Sequence, residues 1–181
     1  MFETLKMGLV LTVICVIAAA SLAKVYEITK VRIDRNMVEL EEKKRKDILP
    51  NAVSFEEKQI DGKSVFVGKD AEGKAIGSIF KVAPRGYAGP VNAMIGVDGS
   101  GKVLAVNITK LDQTETPGLG TKVTEPKFRN QFKDKDGDAL KLKKDGGSID
   151  AITAATISSR AVANGVKEGM EWYKKAIGNR Q

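Results

Sequence analysis

Ten residues toward the end of the chain, Asp150-Ala151-Ile152-Thr153-Ala154-Ala155-Thr156-Ile157-Ser158-Ser159, combine one carboxylate with four hydroxyls on an otherwise small and apolar background. From Ala155 onward the apolar residues Val162, Val166, Met170, Tyr173 and Ile177 recur at steps of three and four, with one of seven, which describes one face of a helix. The spacing predicts Thr156 at or just before a helix N-terminus. Backbone N–H groups there have no partner within the helix, and the positive end of the helix dipole favours an anion. Two chemistries are open to these hydroxyls. They can cap the helix, because Ser, Thr and Asp oxygens accept the first orphan N–H bonds. Alternatively, one of them can carry or contact an anionic group.

The rest of the composition narrows the choice. Among 181 residues there is no histidine and one cysteine, Cys15, which lies inside an apolar run. A His/Cys zinc site, a four-cysteine iron–sulfur cluster or a Cys–His nucleophile pair cannot be built from this chain alone. Redox chemistry would therefore require an organic cofactor. The net charge of +7 is spread among acids, as in Glu41-Glu42-Lys43-Lys44-Arg45-Lys46. No nucleic-acid module accompanies it, so the excess is assigned to a membrane surface or a protein partner and not to nucleic acid.

The elements that must position the hydroxyl-rich stretch follow from the hydropathy pattern. Residues 7–23 carry no charge over 17 positions. At helical rise they span roughly 26 Å, enough to cross a bilayer core once Val25 and Tyr26 are added. The small residues Ser21, Leu22 and Ala23 also fit a signal-peptidase site. A retained anchor is preferred, because only Lys6 stands in the n-region, beside Glu3. Cations are more numerous after the anchor (Lys24, Lys30, Arg32, Arg35) than before it, a count that puts the bulk of the chain in the cytoplasm. Residues 24–49 read as a helical stalk with the i,i+4 pairs Glu39–Lys43, Glu41–Arg45 and Glu42–Lys46, stopped by Pro50.

From Ile60 the pattern becomes β. Two hairpins are predicted, residues 64–82 around Asp70-Ala71-Glu72-Gly73-Lys74 and residues 91–109 around Asp98-Gly99-Ser100-Gly101-Lys102. Between them lies a glycine-bearing loop, Pro84-Arg85-Gly86-Tyr87-Ala88-Gly89-Pro90, with an aromatic at its centre. A second loop contains Glu115-Thr116-Pro117-Gly118-Leu119-Gly120, after which Thr124-Glu125-Pro126 reads as a helix start with Phe128 and Phe132 on its buried face. A short strand is expected over residues 139–143. The fold class is α+β: an antiparallel sheet domain with flanking helices, preceded by a transmembrane helix and a stalk.

Three of these stretches, in this order, carry a resemblance. Gly86-Tyr87-Ala88-Gly89-Pro90, Glu115-Thr116-Pro117-Gly118-Leu119-Gly120 and the string from Asp150 to Thr156 are similar to motifs of the FMN-binding domain family. With the N-terminal anchor, the whole chain resembles the G subunits of Rnf-type ferredoxin:NAD⁺ oxidoreductase complexes, relatives of the C subunits of sodium-pumping NADH:quinone oxidoreductases. Ala154 stands where that family usually has glycine.

The resemblance implies an FMN joined through a phosphoester to Thr156 by a flavin transferase, with Asp150 and Thr153 serving recognition. It also implies flavin contacts from Thr116, Gly118, Leu119 and Gly120, packing beside Ala154 and Ala155, and stacking by Tyr87. The domains implied are an anchor over residues 1–26, a stalk over 27–50 and an FMN-binding domain over 51–181. The protein would carry electrons as one subunit of an ion-translocating complex in the inner membrane, acting as an enzyme only within that complex. Its partners would be the other subunits, the transferase and membrane lipid, and its FMN domain would lie outside the cytoplasm, against the local charge count. The competing expectations are the equivalent quinone-reductase subunit, a cofactor-free anchored interaction domain, and a flavoprotein released by signal cleavage.

Membrane placement is testable in one preparation. The full chain should resist carbonate extraction, and Lys69→Cys in a Cys15→Ser background should react on intact cells with a membrane-impermeant thiol reagent. Extraction would refute the anchor, and protection of the cysteine would show that the charge count sets the topology.

Overall fold

The computed structural model describes residues 2–87, 89–110 and 118–178. Helix α1 (Phe2–Ile48) is the one helix among them long and apolar enough to cross a membrane, with a mean hydropathy of 2.3 over its most apolar window. The chain divides into two compact units, Met1–Glu42 and Lys43–Gln181. In the first, Leu9, Val13, Ile17 and the other large apolar side chains of α1 are exposed, which is consistent with a membrane anchor.

The second unit is built on five antiparallel strands in sequential order: β1 (Ser54–Ile60), β2 (Lys63–Lys69), β3 (Ala75–Val82), β4 (Asn92–Asp98) and β5 (Val103–Lys110). The two hairpins expected from the sequence are β2–β3 and β4–β5. In each, the leading aspartate of the turn accepts backbone N–H bonds: Asp70 Oδ1 from Glu72 and Lys74, and Asp98 Oδ1 from Ser100 and Lys102, at 2.8–3.0 Å.

Strand β1 is an addition to the sequence reading. Its residues, Ser-Phe-Glu-Glu-Lys-Gln-Ile, have weak strand propensity, and it pairs with the sheet on one side only. The turn that creates it was nonetheless written in the chain. Asp61 and Gly62 both have positive φ, 48° and 75°, the backbone of a two-residue hairpin turn for which Asp-Gly is a favoured pair.

Side chains alternate across the sheet, and both faces are covered. On one face Phe80, Ile95, Val97, Val103 and Val106 pack under helix α3 (Thr156–Gly178), the short helix α2 (Pro126–Arg129) and the irregular segment between them. The α3 stripe predicted from spacing is the buried one, with Val162, Val166 and Met170 all under 3 % exposed. Phe128 and Phe132 meet edge to face at 5.5 Å. The strand expected over residues 139–143 is instead a 3₁₀ turn, Gly137–Leu140, followed by a single bridge between Leu142 and Ile149. Leu140 and Leu142 are both buried, an alternation that mimics a strand, although among the described residues its pairing is that single bridge.

On the other face Phe66, Ile79 and Met94 receive Ile48, Leu49 and Ala52. Three adjacent strands present a glycine under this contact. A Cβ on Gly68 or Gly77 would stand 2.8–2.9 Å from the methyls of Leu49, and one on Gly96 would overlap Ile48. Strand glycines are unfavourable locally, and this close approach is what they permit. Lys44 Nζ donates to the carbonyl of Thr109 at 2.9 Å, and the Arg45 guanidinium lies 4.3 Å from the Phe66 ring centroid. Leu49→Ala should therefore lower the unfolding free energy of the second unit by about 2–5 kcal/mol in denaturant titration. A loss under about 1 kcal/mol would mean that this face does not need its cover.

Candidate functional site

Helix α3 begins at Thr156, so Thr156 is its first residue and Ala155 precedes it. Ala155 has no side-chain oxygen with which to cap the helix. Immediately upstream the chain makes a tight turn in which the Ala155 N–H donates to Ile152 O at 3.0 Å. Ala154 occupies the third position of that turn with φ = 63°, the left-handed region that costs an alanine of order 1 kcal/mol relative to glycine. Glycine is the expected residue at this point of the string, and the turn supplies the reason.

Ser159 fastens the turn to the helix. Its hydroxyl accepts the Ile152 N–H at 3.0 Å and donates to Ala155 O at 2.9 Å, while the residue is fully buried. Ser158 is 1 % exposed. Thr153 is exposed, and Thr156 is half-buried. The four hydroxyls are thus separated by their surroundings, with Ser159 already committed to backbone hydrogen bonds.

Tyr87, Leu119, Gly120, Ala154, Ala155, Thr156, Ile157 and Ser158 line a cleft of ≈ 470 Å³. The far wall is the start of a 3₁₀ turn, Gly120–Thr124, held by the Gly118 N–H donating to Thr121 Oγ1 at 2.9 Å. Leu119, Tyr87 and Ile157 are 39 %, 71 % and 53 % exposed. Exposed apolar side chains grouped at one cleft mark a binding surface more than scattered ones do.

Of the residues singled out from the sequence, the structure brings Tyr87, Leu119, Gly120, Ala154, Ala155 and Thr156 to this cleft. Gly118 stands beside it, with φ = 77°. Asp150 and Thr153 are not among the lining residues. Thr116 lies outside the described residues. The Asp150 carboxylate is paired with Lys143 Nζ at 2.8 Å, and its backbone is held at both ends by Gln131, which accepts the Asp150 N–H at 2.7 Å and donates to its carbonyl at 3.4 Å.

Sequence reasoning passed over Ile157 and Ser158 as wall residues, although a helix start exposes its whole first turn. It also passed over Gln131, for which one sequence holds no signal. Neither did it find the ionic seam beside α3, which was foreshadowed by cations at seven-residue spacing. Arg160 binds Asp145 through two bonds of 2.7 and 3.0 Å, Lys167 reaches Asp138 at 3.2 Å, and Lys174 reaches Asp136 at 3.2 Å. The Arg160 hydrogen bonds hold the Asp145 carboxyl below its ordinary 3.8, and those of Lys141 and Lys167 do the same for Asp138.

The comparisons agree with this architecture. Residues 86–171 match the FMN-binding domain family. The chain is 34% identical over 164 residues to the G subunit of the proton-translocating ferredoxin:NAD(+) oxidoreductase complex of Clostridium ljungdahlii, covering 89% of this chain and 86% of that one. The G subunit of the ion-translocating oxidoreductase complex of Methanosarcina acetivorans is 32% identical, with 97% of each chain covered. This chain belongs to the family of G subunits of ion-translocating oxidoreductase complexes.

A further G subunit, from the Na(+)-translocating ferredoxin:NAD(+) oxidoreductase complex of Acetobacterium woodii, is 31% identical over 93% of this chain and 91% of its own. The crystal structure of the C subunit of the Na(+)-translocating NADH-quinone reductase from Parabacteroides distasonis is similar in fold, with a TM-score of 0.51 and 27% identity over 64% of this chain and 62% of that one. The cleft and the helix start that form the site lie within the matched residues 86–171.

In this G subunit the ionic seam runs beside the helix that opens the cleft, and its pH dependence has a definite sign. A depressed carboxyl stabilises the fold above the ordinary value and loses that contribution as pH falls through the folded one. Asp145→Asn should lower the melting temperature at pH 7, and the gap from wild type should close as pH falls below the ordinary 3.8 and through the depressed folded value. A gap that persists at that acidity would show that the pair is not its cause.

Proposed function

We propose that this chain is the electron-carrying subunit of a membrane-bound ferredoxin:NAD⁺-type ion-translocating oxidoreductase complex, and that it holds FMN as a phosphoester on Thr156. The carrying observation is the half-buried Thr156 hydroxyl at the first residue of α3, on the wall of a cleft rimmed by Tyr87, Leu119 and Ile157.

The residues present suit such a group. The cleft falls within the roughly 300–1,000 Å³ common for cofactor sites, and its lining mixes apolar side chains with the hydroxyls of Tyr87, Thr156 and Ser158. A phosphate on Thr156 lies at the positive end of a helix whose preceding residue brings no competing cap oxygen. Bound FMN would find Leu119 to pack against its ring, Gly118 and Gly120 to let backbone approach it, and Tyr87 to stack on it. Bound there, FMN supplies reversible electron transfer, and the protein supplies its position and surroundings.

For attachment, Thr156 Oγ1 would form a P–O bond to the FMN phosphate of a flavin pyrophosphate donor as the donor's P–O–P bond breaks, the hydroxyl proton leaving with the displaced phosphate-bearing half. A flavin transferase performs this step, reading Asp150 and Thr153 as features of the acceptor. In this reading residues 1–26 anchor the chain, 27–50 form the stalk, whose last residues pack with the second unit, and 51–181 hold the FMN. The FMN domain lies outside the cytoplasm, beside the other subunits and the lipid surface.

The resemblance to the quinone-reductase relative supports a second reading, in which the same site serves a quinone-reducing complex. Near-full-length similarity to the G subunits favours the ferredoxin type.

Thr156→Ala should give a folded, membrane-bound and colourless protein, whereas wild type should gain the mass of one FMN less one water. Thr153→Ala should retain some linked flavin. The readout is in-gel fluorescence after denaturation, since only covalent flavin survives it. Fluorescence that persists in Thr156→Ala and disappears in Ser158→Ala would move the bond to Ser158.

A further inference from the structure

Helix α3 contains two interior glycines, Gly165 and Gly169, at a local cost to the helix. Gly169 is explained by the core, since a Cβ there would stand 2.8 Å from Phe80 and Val82 and 3.2 Å from Ile95. Gly165 meets something different. A Cβ there would overlap the Pro84 ring at Cγ, with Pro84 Cβ and Cδ at 2.8 and 2.9 Å. Pro84 is the base of the loop that ends in Tyr87.

That loop is a closed hairpin. The Val91 N–H donates to Pro84 O at 2.9 Å, Arg85 bridges Pro90, and the Gly86 N–H donates to Gly89 O at 2.8 Å. Its base is seated twice, by Val91 in the core at 2 % exposure and by Pro84 on Gly165. Its tip carries Tyr87 onto the cleft that Thr156 also lines. Thr156 and Gly165 belong to one rigid helix, separated along its axis by roughly 13 Å.

We propose that Gly165 is a positioning residue for the bound cofactor: by seating Pro84 against α3, it sets where the hairpin holds Tyr87 over the flavin. This rests on the cofactor reading above. The helix that carries the attachment hydroxyl thereby also carries the seat of the hairpin that covers the ring, so attachment point and cover keep a fixed spacing. A side chain at Gly165 displaces Pro84, and a hairpin closed by its own hydrogen bonds transmits that shift to its tip.

The test uses the full-length, flavin-loaded protein. Gly165→Ala should leave the covalent flavin per chain unchanged while native-state flavin fluorescence rises, because aromatic stacking quenches it. Iodide quenching should rise several-fold, toward the level of Tyr87→Ala. Pro84→Ala alone should change the signal in the same direction, by unseating the base. In the Gly165→Ala background, Pro84→Ala removes two of the three crowding ring carbons and should recover part of the wild-type signal. Gly169→Ala, which crowds the core instead of the hairpin, should leave the spectrum alone at matched melting temperature.

Wild-type fluorescence and quenching in both Gly165→Ala and Pro84→Ala would overturn the proposal. Equal changes in Gly169→Ala would reduce it to general packing. A colourless wild-type protein would overturn the cofactor reading and this one together.

Discussion

The burial of α3 against the sheet is the constraint on which the rest of the second unit depends. Val162, Val166 and Met170 are removed from water over Phe80 and Ile95, and Tyr173 stacks on Phe80 with ring centroids 5.3 Å apart. Each buried side chain of this size contributes about 1.5–3 kcal/mol of transfer free energy, before the entropy of ordering is set against it. Because a helix is stiff, fixing its middle fixes its first turn. Thr156 is held by packing two to four turns away as firmly as by anything beside it.

Around that helix the chain uses three kinds of fastening, each suited to what it holds. Close backbone approach at Gly165 and Gly169 sets the helix tightly on the sheet and on the Pro84 hairpin. Buried hydrogen bonds from Ser159 fix the turn that leads into Thr156. Exposed ion pairs tie the irregular segment between β5 and α3 to the outer side of the helix, where water screens them and each adds little by itself. Strong, short-range contacts thus lie under the site, and weaker ones cover its flank.

The opposite face of the sheet shows how the same unit is closed by the end of α1. Ile48 and Leu49 occupy a trough made by Gly68, Gly77 and Gly96, and without them Phe66, Ile79 and Met94 would face water. The last residue of α1 and its neighbours Leu49 and Ala52 thus belong to a protein core.

The sequence by itself determined what depends on period and local chemistry. The apolar run of α1, the two Asp/Gly-turn hairpins, the buried stripe of α3 and the position of Thr156 at its start were legible because each is written within a few residues of itself. Asp61-Gly62 was equally local, although the polar strand before it obscured it. Tertiary structure decided what depends on distant partners. Leu140 and Leu142 alternate like a strand, but among the described residues they pair through the single bridge from Leu142 to Ile149. The Asp150 carboxylate turns toward Lys143, and its backbone is held by Gln131, nineteen residues away in the chain. Gly165 reads as a flaw in a helix until Pro84 is placed against it. A single sequence records each residue's own preference, whereas a site is made of separations between residues remote in the chain, and only packing sets those.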